Sequence, residues 1–250
     1  MTSKYSPARV RDSLVRQCRR LLAGGNATLD DIIPGEIAND SFYRAMRRHA
    51  SSAQVRTILE IGSSAGQGST RAFVDGILQN PSGAVLYCME VSEVRFDALR
   101  QTYAKHKFVR PFNVSSVPLD AFPTADEVAQ FYGAHTTNLN NFPLDTVLGW
   151  LKADIAYVKK HGKDDDGIRL ILNADRLSGF DMVLIDGSEF TGRAELREVL
   201  GAKVIMLDDI NSFKNYESYQ SLNSDPDYSL EDEDWNLRNG YAIFIRTSTS

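Results

Sequence analysis

The sequence predicts a soluble α/β protein built on a mainly parallel sheet. From Val55 onward, short apolar runs alternate with amphipathic helical segments, which is typical of parallel strands joined by right-handed crossover helices. The chain has 250 residues, 42% hydrophobic and 24% charged, so it is long enough to bury a full core. No run approaches the roughly 18 apolar residues that a bilayer crossing needs, and the N-terminus lacks a signal-peptide core. We therefore expect a cytoplasmic protein with no membrane partner.

Residues 1–50 are predicted to form a helical appendage that precedes the main domain. Apolar residues follow Pro7 at helical spacing until a glycine pair stops the run, and a second helix is expected from about Glu36 to Ala50. The remaining residues, 51–250, are expected to form a single α/β domain.

Six apolar runs in that domain are predicted to be strands, because each is short, rich in β-branched or aliphatic residues and bounded by turn signals. In chain order they are VRTILEI, GAVLYCME, KFVRPF, FDMVLID, AKVIMLDD and GYAIFIR. More than sixty residues separate the third run from the fourth. Since a structureless loop of that length is uncommon, residues from about 118 to 178 are predicted to be a helical insertion beside the active site.

Charge and cysteine content exclude several classes of function. The net charge of −5 provides no basic surface field, so nucleic acid is not an expected partner. The two cysteines, Cys18 and Cys88, are too few for a disulfide framework or a cysteine zinc site.

A glycine-rich turn, EIGSSAGQG, joins the first strand to the following helix. Glycines there allow a tight turn and a close approach of a ligand to the backbone, and the helix N-terminus offers unpaired N–H groups. The turn lacks the lysine of a Walker phosphate loop, and its G-x-x-x-G-x-G spacing differs from the G-x-G-x-x-G of dinucleotide-binding proteins. A dehydrogenase is disfavoured for the same reason.

A carboxylate closes the second strand. Glu90 follows Gly62 by 28 residues and ends the run GAVLYCME. A carboxylate at this place can accept hydrogen bonds from both hydroxyls of a ribose. Together with the glycine-rich turn at the end of the neighbouring strand, it favours nucleoside binding.

The pattern E-x-G-x-x-x-G followed by an acidic second-strand end resembles motifs I and II of class I S-adenosylmethionine-dependent methyltransferases. The resemblance covers roughly Val55 to Arg246 and implies a Rossmann-like sheet of order 3-2-1-4-5-7-6, whose antiparallel seventh strand would be GYAIFIR. It also implies S-adenosylmethionine as cofactor. The implied cofactor-binding residues are Glu60, Gly62, Ser63, Gly66, Glu90, Asp186 and, near the adenine, Ser115 or its neighbour Ser116.

Three aspartates follow the fourth and fifth predicted strands, namely Asp186, Asp208 and Asp209. Because the carboxyl ends of parallel strands share one edge of a sheet, these side chains should converge, and converging carboxylates need a proton or a cation between them. The pattern resembles the metal-dependent O-methyltransferases of the catechol and antibiotic-sugar types. That resemblance implies Mg²⁺ bound by all three aspartates.

One residue departs from the catechol type. A lysine base stands three residues after the first aspartate in that family, whereas this chain has Glu189. Glu189 could act as the base, bind the metal or cap the next helix, and Asp186 could take the proton instead. A simpler alternative is that Asp186 and Asp209 only cap the helices that follow them.

The sequence thus favours an S-adenosylmethionine-dependent methyltransferase that methylates a hydroxyl of a small molecule, such as a sugar or glycoside, with help from Mg²⁺. A metal-independent N- or O-methyltransferase is the first alternative. The second is a non-catalytic Rossmann-like domain that binds a nucleoside. The identity of the methyl acceptor and the oligomeric state, including a homo-oligomer, are left open.

Overall fold

The computed structural model of the protein describes residues 29–32 and 34–247. The helix predicted after Pro7 lies outside these residues. The second predicted helix is present as α1 (Ser41–Ala50), and it begins later than expected because Asp40 caps it. The Asp40 side chain accepts a hydrogen bond from the Tyr43 backbone N–H at 2.8 Å, which satisfies one of the unpaired donors of the first turn.

The core of the protein is one seven-stranded sheet of order β3-β2-β1-β4-β5-β7-β6, the order that the resemblance implied. All neighbouring strands are parallel except those next to β7, which runs antiparallel to both β5 and β6. The strands are β1 (Thr57–Ile61), β2 (Val85–Met89), β3 (Val109–Phe112), β4 (Met182–Ile185), β5 (Val204–Asp208), β6 (Tyr228–Asp234) and β7 (Tyr241–Arg246).

Helices cover both faces of this sheet. Successive residues of a strand point to opposite faces, so Ile58 packs in one apolar cluster and Leu59 in the other. The first cluster lies under α1, α2 (Ser69–Ile77) and α3 (Glu93–Thr102). The second lies under α6 (Gly167–Asp175), α7 (Gly192–Val199) and α8 (Tyr216–Ser224). Burial on both faces explains why the central strands are continuous apolar runs.

Helix α1 packs directly onto the sheet domain. Its Phe42 ring stacks on Tyr241 of β7 with ring centroids 4.4 Å apart. Where α1 crosses α2, a Cβ on Gly76 would lie 2.7 Å from the Cβ of Ala50, so a glycine is needed for the two helices to approach. Residues of α1 therefore belong to the core that the first sheet face buries, and a domain boundary near residue 50 stays a prediction.

Helix α6 packs on the sheet although it falls in the range predicted to be a helical insertion, about 118–178. The earlier part of that segment is helical as well. It contains α4 (Ala125–Ala134) and α5 (Leu144–His161), together with short 3-10 turns at Leu119–Ala121 and Asn138–Asn141. Residues of this segment form a small apolar cluster together with Phe190 of the loop after β4; the segment contributes Val128, Phe131, Leu139, Phe142, Val147 and Leu151. The insertion is thus a packed unit beside the carboxyl edge of the sheet. Among the helices of the described residues, none is both long and apolar enough to cross a membrane.

Candidate functional site

A cavity of about 620 Å³ opens at the carboxyl edge of the sheet. In the sheet, β2 and β3 lie on one side of β1, whereas β4 and β5 lie on its other side. The strand order therefore reverses between β1 and β4. Open α/β sheets bind ligands at such a switch point. The cavity is bordered by the turn after β1, the ends of β2, β4 and β5, and the insertion.

The glycine-rich turn after β1 forms one wall. Gly62 has a φ of +86°, and a Cβ there would lie 2.7 Å from the carbonyl carbon of Asp186, so only glycine fits. The backbone N–H groups of Gly62 and Ser63 donate to the carbonyl of Met89 at 3.0 and 2.9 Å. These bonds fix the turn against the end of β2.

Two residues predicted to bind the cofactor lie behind this turn and do not line the cavity. Glu60 is fully buried on β1 and accepts a hydrogen bond from the Thr70 hydroxyl at 2.8 Å. Burial raises the pKa of Glu60 above its usual value, although hydrogen bonds from neighbouring hydroxyls oppose the shift. Gly66, with a φ of +79°, packs against the ring of Tyr103, whose hydroxyl donates to the Gly66 carbonyl at 2.6 Å. Both residues therefore stabilise the conformation of the turn through contacts outside the cavity.

Glu90 does line the cavity, one residue beyond β2. Its Oε1 accepts a hydrogen bond from the Ser92 backbone N–H at 2.7 Å, which fixes the carboxylate against the start of α3. Burial raises the pKa of Glu90, and the nearby Arg95 guanidinium opposes that shift. Ser115 borders the cavity as well, but its hydroxyl already donates to the carbonyl of Val117 at 2.7 Å.

The three aspartates converge as the sequence predicted. Oxygen atoms of Asp186, Asp208 and Asp209 all lie within 4.8 Å of one another. Asp209 holds a φ of +58°, a left-handed conformation that costs free energy for a residue with a side chain. Neither Asp186 nor Asp209 caps a helix, because α7 and α8 begin after Thr191 and Asn215. The simple capping alternative for these aspartates is therefore wrong.

A lysine that the sequence did not single out lies among these carboxylates. The Lys214 ammonium is 2.9 Å from Oδ1 of Asp186 and 2.6 Å from Oδ2 of Asp209. Burial alone would lower the pKa of Lys214, but the surrounding carboxylates, led by Asp186 and Asp209, raise it well above its usual value. Lys214 is consequently a buried cation.

An arginine pairs with the third aspartate. The Arg238 guanidinium donates to Oδ1 of Asp208 at 3.1 Å and also contacts Asp40, the residue that caps α1. The side-chain amide of Asn239 donates to Oδ1 of Asp209 at 2.9 Å. Both residues come from the turn that precedes β7. This turn therefore contributes one cation and one amide donor to the aspartate cluster.

Glu189 lies on the loop between β4 and α7 and faces the same cavity. Its Oε1 accepts hydrogen bonds from the Ser212 hydroxyl and, at 3.4 Å, from the Lys214 backbone N–H. It does not cap α7, so that alternative from the sequence is wrong. Burial raises the pKa of Glu189 to about 7, while Lys214 opposes the shift and Asp209 adds to it. Such a carboxylate exchanges a proton near neutral pH.

The insertion forms a further wall of the cavity. Trp150, Asp154 and Tyr157 of α5 line the cavity, and Asp154 accepts a hydrogen bond from the Ser188 hydroxyl at 2.6 Å. Burial raises the pKa of Asp154 to about 6, against the opposing effects of that hydrogen bond and of Lys214. The sequence predicts a helix beside the site but gives no sign that Asp154 faces the cavity. A single polar residue on an amphipathic helix is expected on the solvent-exposed face.

Solved structures share this fold. A cofactor-bound protein from MTB (Rv0187) has a TM-score of 0.50 at 17% identity, covering 98% of this chain and 99% of that chain. A methyltransferase from Geobacter sulfurreducens has a TM-score of 0.50 at 11% identity, covering 99% and 92%. An O-methyltransferase from Bacillus cereus in complex with SAH has a TM-score of 0.49 at 13% identity, covering 98% and 93%.

No protein-family profile and no curated protein matches the chain in sequence. At these low identities, the structural likeness establishes the fold alone. The chain has the expected Rossmann-like fold, and its sheet has the strand order that the resemblance implied.

Proposed function

We propose that the protein is an S-adenosylmethionine-dependent methyltransferase that methylates a hydroxyl group of a small molecule. One observation carries the proposal above the others. A single cavity is lined by Gly62, Ser63 and Glu90, which follow β1 and β2, and by Asp186, Glu189 and Lys214, which follow β4 and β5. A cofactor subsite and an acid–base subsite therefore share one space, as a direct transfer between two bound molecules requires.

The residues of the cofactor subsite fit S-adenosylmethionine. Gly62 lets the backbone of the turn pack against the loop after β4 while it borders the cavity, and Glu90 offers a buried carboxylate for ribose hydroxyls. Ser63 supplies a further polar group at the same wall. When bound, the cofactor supplies an electrophilic methyl group on a sulfonium. The MTB protein of the same fold binds a cofactor and the Geobacter protein is called a methyltransferase, which agrees with this proposal.

The rest of the cavity suits a small acceptor. The wall from the insertion combines the aromatic ring of Trp150 with the carboxylate of Asp154, whereas Tyr157 lies near the start of α3, where its hydroxyl accepts a hydrogen bond from the Glu93 backbone N–H. Aromatic surfaces with a few polar groups are typical of small-molecule sites, and hydroxyl groups of a sugar or glycoside would find acceptors there. The net charge of −5 gives no general attraction for nucleic acid.

Transfer to a hydroxyl forms a carbon–oxygen bond, breaks the sulfur–carbon bond of the cofactor and releases one proton. We assign that proton to the carboxylate of Glu189, which faces the cavity and has a pKa of about 7. Asp186 is engaged by the Lys214 ammonium at 2.9 Å, so it holds that cation in place. The proton then passes from Glu189 to water, and the protein is restored.

Mg²⁺ at the aspartate cluster stays a prediction from the sequence, and the described contacts do not favour it. A divalent ion needs free carboxylate oxygens at about 2.0–2.1 Å. Here Lys214 occupies the space between two of the three carboxylates, and Arg238 pairs with the third. An ion could bind only after Lys214 had left, so the proposed reaction uses no metal.

Binding of S-adenosylhomocysteine tests the cofactor subsite. Glu90→Ala should weaken the affinity measured by calorimetry by about 1.5–3 kcal/mol, since it removes hydrogen bonds to a charged group. That range corresponds to roughly a 10- to 150-fold change in Kd. Glu93→Ala is the matched control, because it removes the same charge from an exposed position three residues away.

Intact protein that binds neither S-adenosylmethionine nor S-adenosylhomocysteine would disprove the proposal. Binding without transfer of a labelled methyl group to any member of a panel of hydroxylated small molecules would instead favour a non-catalytic nucleoside-binding domain.

A further inference from the structure

The cation in the aspartate cluster is a side chain of the protein itself. The Lys214 ammonium lies within hydrogen-bonding distance of Asp186 and Asp209, at 2.9 and 2.6 Å. Only 8% of the Lys214 side chain is exposed. The ammonium is thus enclosed at the point where the sequence places a divalent ion.

The loop around Lys214 holds it there. Next to it, the Asn215 side-chain amide donates to the carbonyls of Ile185 and Asp208 at 3.0 and 2.7 Å, which ties the loop to the ends of β4 and β5. A Cβ on Gly192 would lie 2.9 Å from the Lys214 carbonyl carbon, so the start of α7 packs tightly against this backbone. Displacement of the ammonium therefore requires rearrangement of a packed, hydrogen-bonded loop.

The existing cations point the same way. Lys214 lies 2.9 and 2.6 Å from two of the carboxylates, and Arg238 lies 3.1 Å from the third. A divalent ion added beside these carboxylates would lie within a few ångströms of the Lys214 ammonium. Like charges at such a distance repel strongly in a buried site.

We propose, on the basis of the proposed methyltransferase function, that Lys214 takes the place of the divalent cation and binds the acceptor oxygen. An ammonium has three N–H donors, and Asp186 and Asp209 use two of them. The third N–H donates to the acceptor oxygen in the cavity, which Lys214 lines.

This assignment also widens the class of acceptor beyond vicinal diols. A divalent ion chelates two neighbouring oxygens, whereas one remaining N–H binds a single oxygen. The acceptor therefore needs no vicinal pair of hydroxyls. Because an ammonium polarises a hydroxyl less than a metal does, the proton of the acceptor must be taken by a carboxylate, the role given to Glu189.

Binding of Mn²⁺, followed by electron paramagnetic resonance, tests the assignment without cofactor or acceptor. We expect no specific Mn²⁺ binding to the unaltered protein, and chelators should leave methyl transfer unchanged. Lys214→Gln should increase the affinity for Mn²⁺ at least tenfold, because it removes the positive charge and leaves the carboxylates in place. Lys203→Gln is the matched control, since Lys203 pairs with Asp181 at the opposite edge of the sheet and should behave like the unaltered protein.

Stoichiometric Mn²⁺ binding by the unaltered protein, displaced by Mg²⁺, would overturn the assignment. So would a Lys214→Gln variant that keeps its S-adenosylhomocysteine affinity yet gains no Mn²⁺ affinity. Lys214→Arg, which retains the positive charge, should not gain Mn²⁺ affinity, and a gain there would also count against it. Should Lys214→Gln fail to fold, the unaltered protein and Lys214→Arg still decide. Failure of S-adenosylhomocysteine binding in the unaltered protein would refute the methyltransferase proposal separately.

Discussion

Gly62→Ala probes the contact between the glycine-rich turn and the loop after β4. The φ of +86° costs an L-residue about 1–2 kcal/mol. The added methyl group would also meet the backbone of Asp186, with its carbonyl carbon only 2.7 Å away. Because backbone cannot rotate aside as a side chain can, we add about 1–3 kcal/mol for the overlap. The expected loss in free energy of unfolding is therefore about 2–5 kcal/mol.

Two glycines separate these contributions. Gly83 has a φ of +65° with open space around its Cβ position, so Gly83→Ala should lose only the conformational part, about 1–2 kcal/mol. Gly149 lies within α5 and also has open space, so Gly149→Ala should stabilise the protein by about 0.5–1 kcal/mol. Urea denaturation of the three variants gives the comparison, with S-adenosylhomocysteine affinity measured in parallel.

Gly62→Ala should weaken that affinity as well, since the turn cannot keep its position between Met89 and Asp186. A free energy of unfolding for Gly62→Ala equal to that of Gly83→Ala would refute the reasoning, because no cost would then remain for the overlap with Asp186.

Two further variants test buried carboxyl groups through their response to pH. Turnover should rise as pH increases through about 7, because Glu189 must be ionised to accept a proton. Glu189→Gln should lower the rate and abolish that rise. An unchanged pH profile in this variant would exclude Glu189 as the base. The folded-state pKa of Asp154 is raised to about 6, so the stability that its protonated form contributes is present below pH 4 and is lost as pH rises through 6. Asp154→Asn should therefore gain on the order of 1–3 kcal/mol relative to the unaltered protein between pH 4 and pH 8 in denaturation experiments, and a constant difference would contradict burial of the charge.

The sequence predicted most of the sheet because burial on both faces leaves a plain signal. Six strands coincide with apolar runs. The exception is β6 (Tyr228–Asp234), which carries a run of acidic residues and mostly exposed side chains. It lies at the edge of the sheet and pairs only with β7, so it needs no apolar pattern.

Some residues of the candidate site could also be predicted from the sequence, and others could not. Residues at strand ends, such as Glu90 and Asp186, could be predicted because chain topology alone brings them to one edge. Lys214 and Arg238 could not, since each reaches the aspartates from a loop whose path depends on tertiary packing. Glu60 shows a different limit. The alternation of β1 places its side chain on the α2 face, but a motif does not say which residues face the cavity.

The loop after β4 joins the two halves of the cavity through one residue. The Asp186 backbone N–H donates to the carbonyl of Ile61 at 3.1 Å, next to the turn proposed for the cofactor. The side chain of the same residue holds Lys214 on the acceptor side. Asn215 further fixes the ends of β4 and β5 to each other. The distance from the turn to the ammonium is consequently set by the sheet, which suits a reaction that depends on alignment of two bound molecules.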